Sequence, residues 1–178
     1  MINATVKELQ RKNDAAWEAI GRTLEGMEAH LERADAPGEW TAREVLCHLL
    51  FEPDSKPVAL LERFAIDEPP LLEISPGAVT VTSERRRMTL ADLVAALDDQ
   101  RRDVFGYLAT LGDADLAHRA SIPVFAPLLG TDEVPLPVFV GIMFDRHWSA
   151  HTEQLAKIRR AAGLPDAKYT TPTTGAAR

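Results

Sequence analysis

Apolar residues recur at alternating spacings of three and four along much of this 178-residue chain. That spacing matches one face of an α-helix, whereas a half-buried strand alternates at every second residue. It predicts long helices over residues 6–31, 90–111 and 137–162. The third ends at Gly163 and Pro165, which are common stop signals.

Threonines followed three residues later by an acidic residue predict where two helices begin. Thr41 with Glu44 and Thr89 with Asp92 have the pattern of a capping box. The first starts helix 2, whose regular run is limited by Pro53, and the second starts the helix over residues 90–111.

The links are Pro-rich or Gly-rich, and their lengths bear on topology. Residues 58–66 predict a further two helical turns, which DEPPLLEISPG then interrupts. Residues 112–135 are too irregular for a long helix but apolar enough to pack as a lid or short crossing segment. Because no convincing alternating strand is present, we predict an all-α four-helix bundle. The long link from helix 2 to helix 3, the helix over residues 90–111, leaves the topology of the bundle open.

Composition limits the function. The net charge is -7, and this disfavours binding to nucleic acid, which depends on clustered Lys and Arg. No stretch has the length and apolarity of a membrane span, and the single cysteine, Cys47, fits a reducing compartment. We therefore predict a cytoplasmic protein with one domain over residues 1–165 and a flexible tail over 166–178.

Three of the five histidines are candidates for a shared site. His147 and His151 are four residues apart in RHWSAH, so their rings lie on one helix face and can converge on one ion. The pair lacks the Glu of the zinc-protease motif, and two histidines hydrogen-bonded in a core would show the same spacing. His48 lies in the apolar run VLCHLLF, where an isolated imidazole is poorly placed. His30 and His118 have polar surroundings, and we assign them no chemistry.

Few other side chains could assist such a site. Glu52, one helical turn after His48, is a candidate general base or further ligand. Glu44, Asp145 and Glu153 could accept hydrogen bonds from imidazole rings, although solvated helix carboxylates would show the same pattern. Asn13 and Arg101 interrupt apolar stripes, and either could line a pocket or lie at a helix edge. Cys47 points about 100° away from His48 on a helix and is predicted to be a core residue.

Three blocks of the sequence resemble one known family. EWTAREVLCHLL, MTLADLVAALDDQRRDVFGYLATLGDADL and RHWSAHTEQLAKIRRAAGLP, in this order, are similar to the corresponding parts of the DinB-like superfamily of four-helix-bundle metalloproteins. The resemblance implies an up-down-down-up bundle with a long crossover between helices 2 and 3. It also implies a divalent metal bound by His48, His147 and His151.

The resemblance also implies an activity and its cofactors. Family members include thiol-dependent transferases and isomerases, so we expect a metal-dependent thiol S-transferase or hydrolase with a small-molecule substrate, and a low-molecular-weight thiol as a possible cosubstrate. Three imidazoles leave a coordination position open; zinc is the default metal, while nickel or iron also suits such ligands. We expect a homodimer. The alternative is a metal-free or vestigial bundle that acts as a binding or dimerisation module.

Overall fold

Four helical segments form the bundle of this protein. In a computed structural model, which describes residues 2–53, 55–66 and 68–167, α1 spans Ala4–Leu24, α2 spans Ala42–Leu49 and α5 spans Leu90–Leu108. The closing segment comprises α8 (Leu136–Gly141), one π-helical turn (Ile142–Arg146) and α9 (His147–Ala161). The predicted tail over 166–178 falls largely on residues 168–178, which lie outside the described part.

Both predicted capping boxes are present. The Oγ1 atom of Thr41 accepts a hydrogen bond from the Glu44 amide at 3.2 Å, and the Glu44 carboxylate accepts one from the Thr41 amide at 2.8 Å. Thr89 and Asp92 make the same pair of contacts at the start of α5. Each box satisfies main-chain N–H groups that a helix start leaves unpaired, so the first residues of α2 and α5 follow from the sequence.

Helix α1 is shorter than the apolar period over residues 6–31 predicts. It ends at Leu24, because Gly26 adopts a φ of 74°, a left-handed conformation that stops an α-helix. Met27 and Leu31 nevertheless remain buried, on either side of a 3₁₀ turn at Glu28–His30. The apolar period therefore continues past the end of the helix, since these side chains still join the core.

The two links contain short elements. The predicted turns at 58–66 are α3 with a 3₁₀ turn, and the irregular link at 112–135 also holds two strands, which are too short to show alternation in the sequence. Their bounds are α3 Pro57–Glu62, 3₁₀ Arg63–Ala65, α4 Ser83–Arg87, α6 Asp113–Leu116, β1 Arg119–Ser121, 3₁₀ Pro123–Phe125, α7 Ala126–Leu129 and β2 Glu133–Pro135. The strands pair antiparallel, with Ala120 opposite Val134.

Residue pairs across the bundle give the direction of each helix. From α1 to the closing segment the pairs advance together, so these two helices are parallel: Leu9 with Gly141, Asn13 with Phe144 and Trp17 with Trp148. From α2 to α9 they run in opposite order: Trp40 with His151, then His48 with His147.

The remaining pairs complete the topology. Arg43 contacts Met88 and Leu49 contacts Gln100, which makes α2 and α5 parallel. Asn3 with Asp113 and Arg101 with Asp14 make α1 and α5 antiparallel. The bundle is therefore up-down-down-up, with the crossover between α2 and α5, as the family resemblance implied. Within the described ranges, no helix is long and apolar enough to cross a bilayer.

Candidate metal centre

The last turn of α2 carries His48 at the edge of the core. Its neighbours Leu46, Cys47 and Leu49 are buried, while the imidazole itself is half-buried and faces α9. Cys47 is a core residue as predicted, and burial raises the pKa of its thiol, which keeps it protonated.

The closing helix supplies the other two rings. His147 follows the π-helical turn directly, and His151 lies one turn further along α9. The core-facing stripe of this segment runs through Phe144, Trp148 and Leu155, and the two half-buried histidines lie beside it. They therefore line the edge of the core that α2 covers.

The three imidazoles meet through their Nε2 atoms. The Nε2 of His147 lies 2.9 Å from that of His48 and 3.1 Å from that of His151. One ligand atom from each ring can be chosen so that all lie within 4.8 Å of one another. The structure thus brings together the three histidines singled out in the sequence.

Acceptors on the far side of two rings, those of His48 and His151, set their tautomers. The Nδ1 of His48 lies 2.7 Å from the carbonyl oxygen of Ala78, and the Nδ1 of His151 lies 2.8 Å from the Oε1 of Gln154. His147 donates to the main chain of Met143. Because a carbonyl or amide oxygen can only accept, the neutral rings of His48 and His151 carry their proton on Nδ1, which leaves their Nε2 lone pairs free.

Three lone pairs that point at one another repel unless a cation lies between them. Four ligands arranged tetrahedrally at about 2.0–2.1 Å from a zinc ion are separated by about 3.3 Å, close to the two Nε2 separations of 2.9 Å and 3.1 Å. The donor set and the spacing therefore fit a divalent cation.

The surroundings of His147 and His151 favour the neutral form of both rings. Burial, followed by the neighbouring His151 and His48, lowers the pKa of His147 to about 4. Burial likewise lowers the pKa of His151, and the hydrogen bond to Gln154 partly opposes this. Neutral imidazole is the form that binds a metal, so near neutral pH these two rings can bind one with little proton release.

Trp40 covers the rings from the side of the link before α2. Its ring is stacked on that of His151 at 5.9 Å and 13°, and lies 4.8 Å from that of His48. No role at the site was predicted for Trp40 from the sequence. Its position directly before the Thr41 cap and eight residues before His48 was the available signal.

Two polar side chains hold the chain just after His48. Gln100 donates to the Leu49 carbonyl at 2.9 Å and accepts from the Phe51 amide at 2.8 Å. Arg85, which is buried, donates to the carbonyl oxygens of Cys47, Phe51 and Thr80. This guanidinium therefore ties the end of α2 to the segment that carries Ala78, and sequence reasoning missed it.

Glu52 lies near the site but not on α2. The helix ends at Leu49, so the helical turn assumed in the sequence analysis is absent. The side chain is exposed, and its Oε1 accepts a hydrogen bond of 2.6 Å from the Thr80 hydroxyl. It lines the same cleft as the histidines.

The other candidate helpers have different partners. Glu44 is occupied by the capping box, Glu153 is exposed, and the charge of Asp145 acts on Arg11. Arg101 pairs with Asp98 and Asp14, on the side of the bundle where Trp17 lies. Asn13 is fully buried and donates to the Phe144 carbonyl at 2.7 Å, inside the π-helical turn. His30 and His118 are half-buried and lie outside the cluster.

A cleft of about 780 Å³ opens beside the imidazoles. Its walls come from the end of α2, the segment around residues 74–80, the 3₁₀ turn at Pro123–Phe125 and the start of the closing segment. A volume of this size is typical of small-molecule sites. The three rings are therefore accessible to a small molecule.

Comparison with known proteins places the chain in a family. The family model described as the DinB superfamily matches residues 7–136, and the chain belongs to this superfamily. The matched region contains His48 and ends before His147 and His151. No curated protein matches the chain.

A solved structure shares the fold. YfiT from Bacillus subtilis superposes with a TM-score of 0.63 over 93% of this chain and 92% of its own, at 17% sequence identity. It is described as a probable metal-dependent hydrolase with an unusual four-helix bundle topology. At this identity the likeness establishes the four-helix fold.

Proposed function

We propose that this protein is a metal-dependent hydrolase of small molecules, with His48, His147 and His151 as the metal ligands. The observation that carries the proposal is the convergence of three Nε2 atoms, two of which belong to rings whose Nδ1 atoms meet acceptors. The description of YfiT as a probable metal-dependent hydrolase supports the same class of activity.

The ion would act as a Lewis acid on a substrate carbonyl and lower the pKa of a water molecule, and zinc is the metal we expect. The chain's own groups orient and move protons around it. Gln154 and the Ala78 carbonyl hold two of the rings in the required tautomer. Glu52, whose Oε1 is held by Thr80, would accept the proton of the attacking water on its Oε2.

Thiol transfer is a second candidate, favoured by the charge of the ligand set. All three members of the cluster are imidazoles, which bind a metal in their neutral form, so a bound divalent ion would keep its full charge and stabilise a thiolate from a low-molecular-weight thiol. Assays of the same substrates with and without added thiol separate the two activities. If product forms only when a thiol is added, the activity is thiol transfer and not hydrolysis.

Metal content and thermal stability test the ligand set. Purified wild-type protein should carry close to one equivalent of metal, and added zinc should raise the melting temperature of stripped protein. His48→Ala, His147→Ala and His151→Ala should each abolish that gain, whereas His118→Ala should retain it. Three small and independent stability losses, with no response to metal, would instead support the metal-free bundle. The homodimer and the cytoplasmic location stay predictions from the sequence.

A further inference from the structure

The cleft beside the histidines is apolar in its depth and polar at its rim. The buried or half-buried lining residues are mainly aliphatic and aromatic: Phe51, Leu60, Val124, Phe125, Ile142 and Phe144. The exposed lining residues include Glu52, Ser55, Arg63 and Glu73. A molecule that reaches the imidazoles must therefore leave water and contact apolar walls.

The charges at the rim do not form an anion site. Arg63 is the one Lys or Arg among the cleft residues that the structure describes, and its guanidinium donates to the Leu71 carbonyl at 2.8 Å. Two carboxylates, Glu52 and Glu73, lie at the same rim. An anionic substrate tail would face repulsion there without a cluster of cations to pair with it.

We propose that the substrate is an uncharged molecule with an alkyl or aryl group, bound with its reacting group at the histidines and its apolar part in the cleft. This inference rests on the proposed function, because it uses the three histidines as the metal site. Binding would be driven by removal of apolar surface from water, and should therefore increase with the length of the apolar group.

Hydroxamic acids of increasing chain length test this on zinc-loaded protein, because the hydroxamate group chelates the metal and the tail samples the cleft. We expect titration calorimetry to show affinity rising about twofold to fourfold per added methylene from acetohydroxamate to octanohydroxamate. Suberic acid monohydroxamate, which ends in a carboxylate, should lose most of that gain.

Variants of cleft residues test where the apolar tail of the hydroxamic acid binds. Phe125→Gln and Ile74→Gln place an amide on two different walls of the cleft, and each should flatten the dependence on chain length while acetohydroxamate binding is retained. Leu128→Gln is the control, since Leu128 is exposed, lies on the neighbouring α7 and is not part of the cleft. Either cleft variant alone is sufficient if the other does not fold.

The outcomes separate the two proposals. If zinc and acetohydroxamate bind but affinity is independent of chain length, or rises with the terminal carboxylate, the apolar substrate is wrong and the metal site stands. If stripped wild-type protein binds no zinc, the proposed function fails and the substrate inference falls with it.

Discussion

Gln154 holds the ring of His151 through a hydrogen bond of 2.8 Å between Nδ1 and Oε1. Loss of such a partner frees the tautomer and the ring orientation, and typically weakens metal binding by about 10–100-fold. We expect Gln154→Leu to show a loss of this size in competition with a chelating dye, whereas Gln154→Glu, which keeps an acceptor, should bind zinc at least as tightly as the wild type. The exposed neighbour variant Glu153→Leu is the control. Equal affinities for both leucine variants would contradict the role of Gln154.

Glu52 can be separated from the ligands by its effect on turnover. If its carboxylate accepts the proton of the attacking water, Glu52→Gln should lower kcat by about 10²–10⁴-fold and leave the zinc content unchanged. The hydrolysis of p-nitrophenyl octanoate by zinc-loaded protein measures this. Glu62→Gln, on α3 and outside the cleft, should keep wild-type turnover. A Glu52→Gln variant with full activity would show that this carboxylate is not the general base and that its role is limited to the hydrogen bond with Thr80.

Arg85 joins two elements on which the site depends. It lies on α4 and donates to main-chain carbonyls at the end of α2 and to Thr80, two residues after the Ala78 carbonyl that orients His48. We expect Arg85→Lys, which keeps the charge but not the fork of donors, to lower zinc affinity by about tenfold or more. The cobalt-substituted protein should also show an altered absorption spectrum. Arg86→Lys, at the exposed neighbouring position, should change neither quantity. A loss of stability without a change in affinity or spectrum would limit Arg85 to a structural role.

The closing helix was only partly predictable from the sequence. The apolar period over residues 137–162 places Val140, Phe144, Leu155 and Ile158 on one helix face, and all four are buried. The π-helical turn at Ile142–Arg146 adds a residue to one turn and so changes the angular position of every side chain after it. No sequence pattern marks that turn. Asn13 from α1 contacts a carbonyl inside it, so the turn depends on a neighbouring helix.

For the whole molecule, the lowered pKa values of His147 and His151 predict how the metal-free protein responds to acid. In the folded protein His147 has a pKa of about 4 and the pKa of His151 is also lowered, whereas in the unfolded chain both titrate near the ordinary histidine value of about 6.5. Between these values the unfolded state binds more protons, so the free energy of unfolding should fall as pH decreases from about 6.5 to about 4. Above about 6.5 this contribution should be constant.

Urea unfolding of stripped protein across that pH range measures the effect. The double variant His147→Gln, His151→Gln lacks both groups and should lose stability less steeply over the same interval, since the remaining titrating groups are shared. The same pH dependence in both proteins would contradict the burial-lowered pKa values as the cause. In the metal-loaded protein, zinc should be released over the acidic side of the interval, because protons compete for the imidazoles.

The sequence by itself determined the helices, their capped starts, the all-α class and the three histidines. These follow from local periodicity, from capping patterns such as Thr41 with Glu44, and from an imidazole in an apolar run at His48. The residue pattern also placed Cys47 in the core. Such features depend on residues within a few positions of each other, where steric and hydrogen-bond preferences are strong.

Only the tertiary structure decided how the rings are held and what reaches them. The acceptor for His48 is a main-chain carbonyl 30 residues away, and the Nε2 contact to His147 spans 99 residues. A carbonyl has no side-chain identity, so no residue type in the sequence marks Ala78 as a partner. Helix α2 ends at Leu49, so Glu52 lies off the helix. This helix end and the cleft walls likewise depend on the contacts of Arg85 and Gln100 and on the crossover. These contacts form only when the links fold over the bundle, and packing between distant segments is not encoded in local spacing.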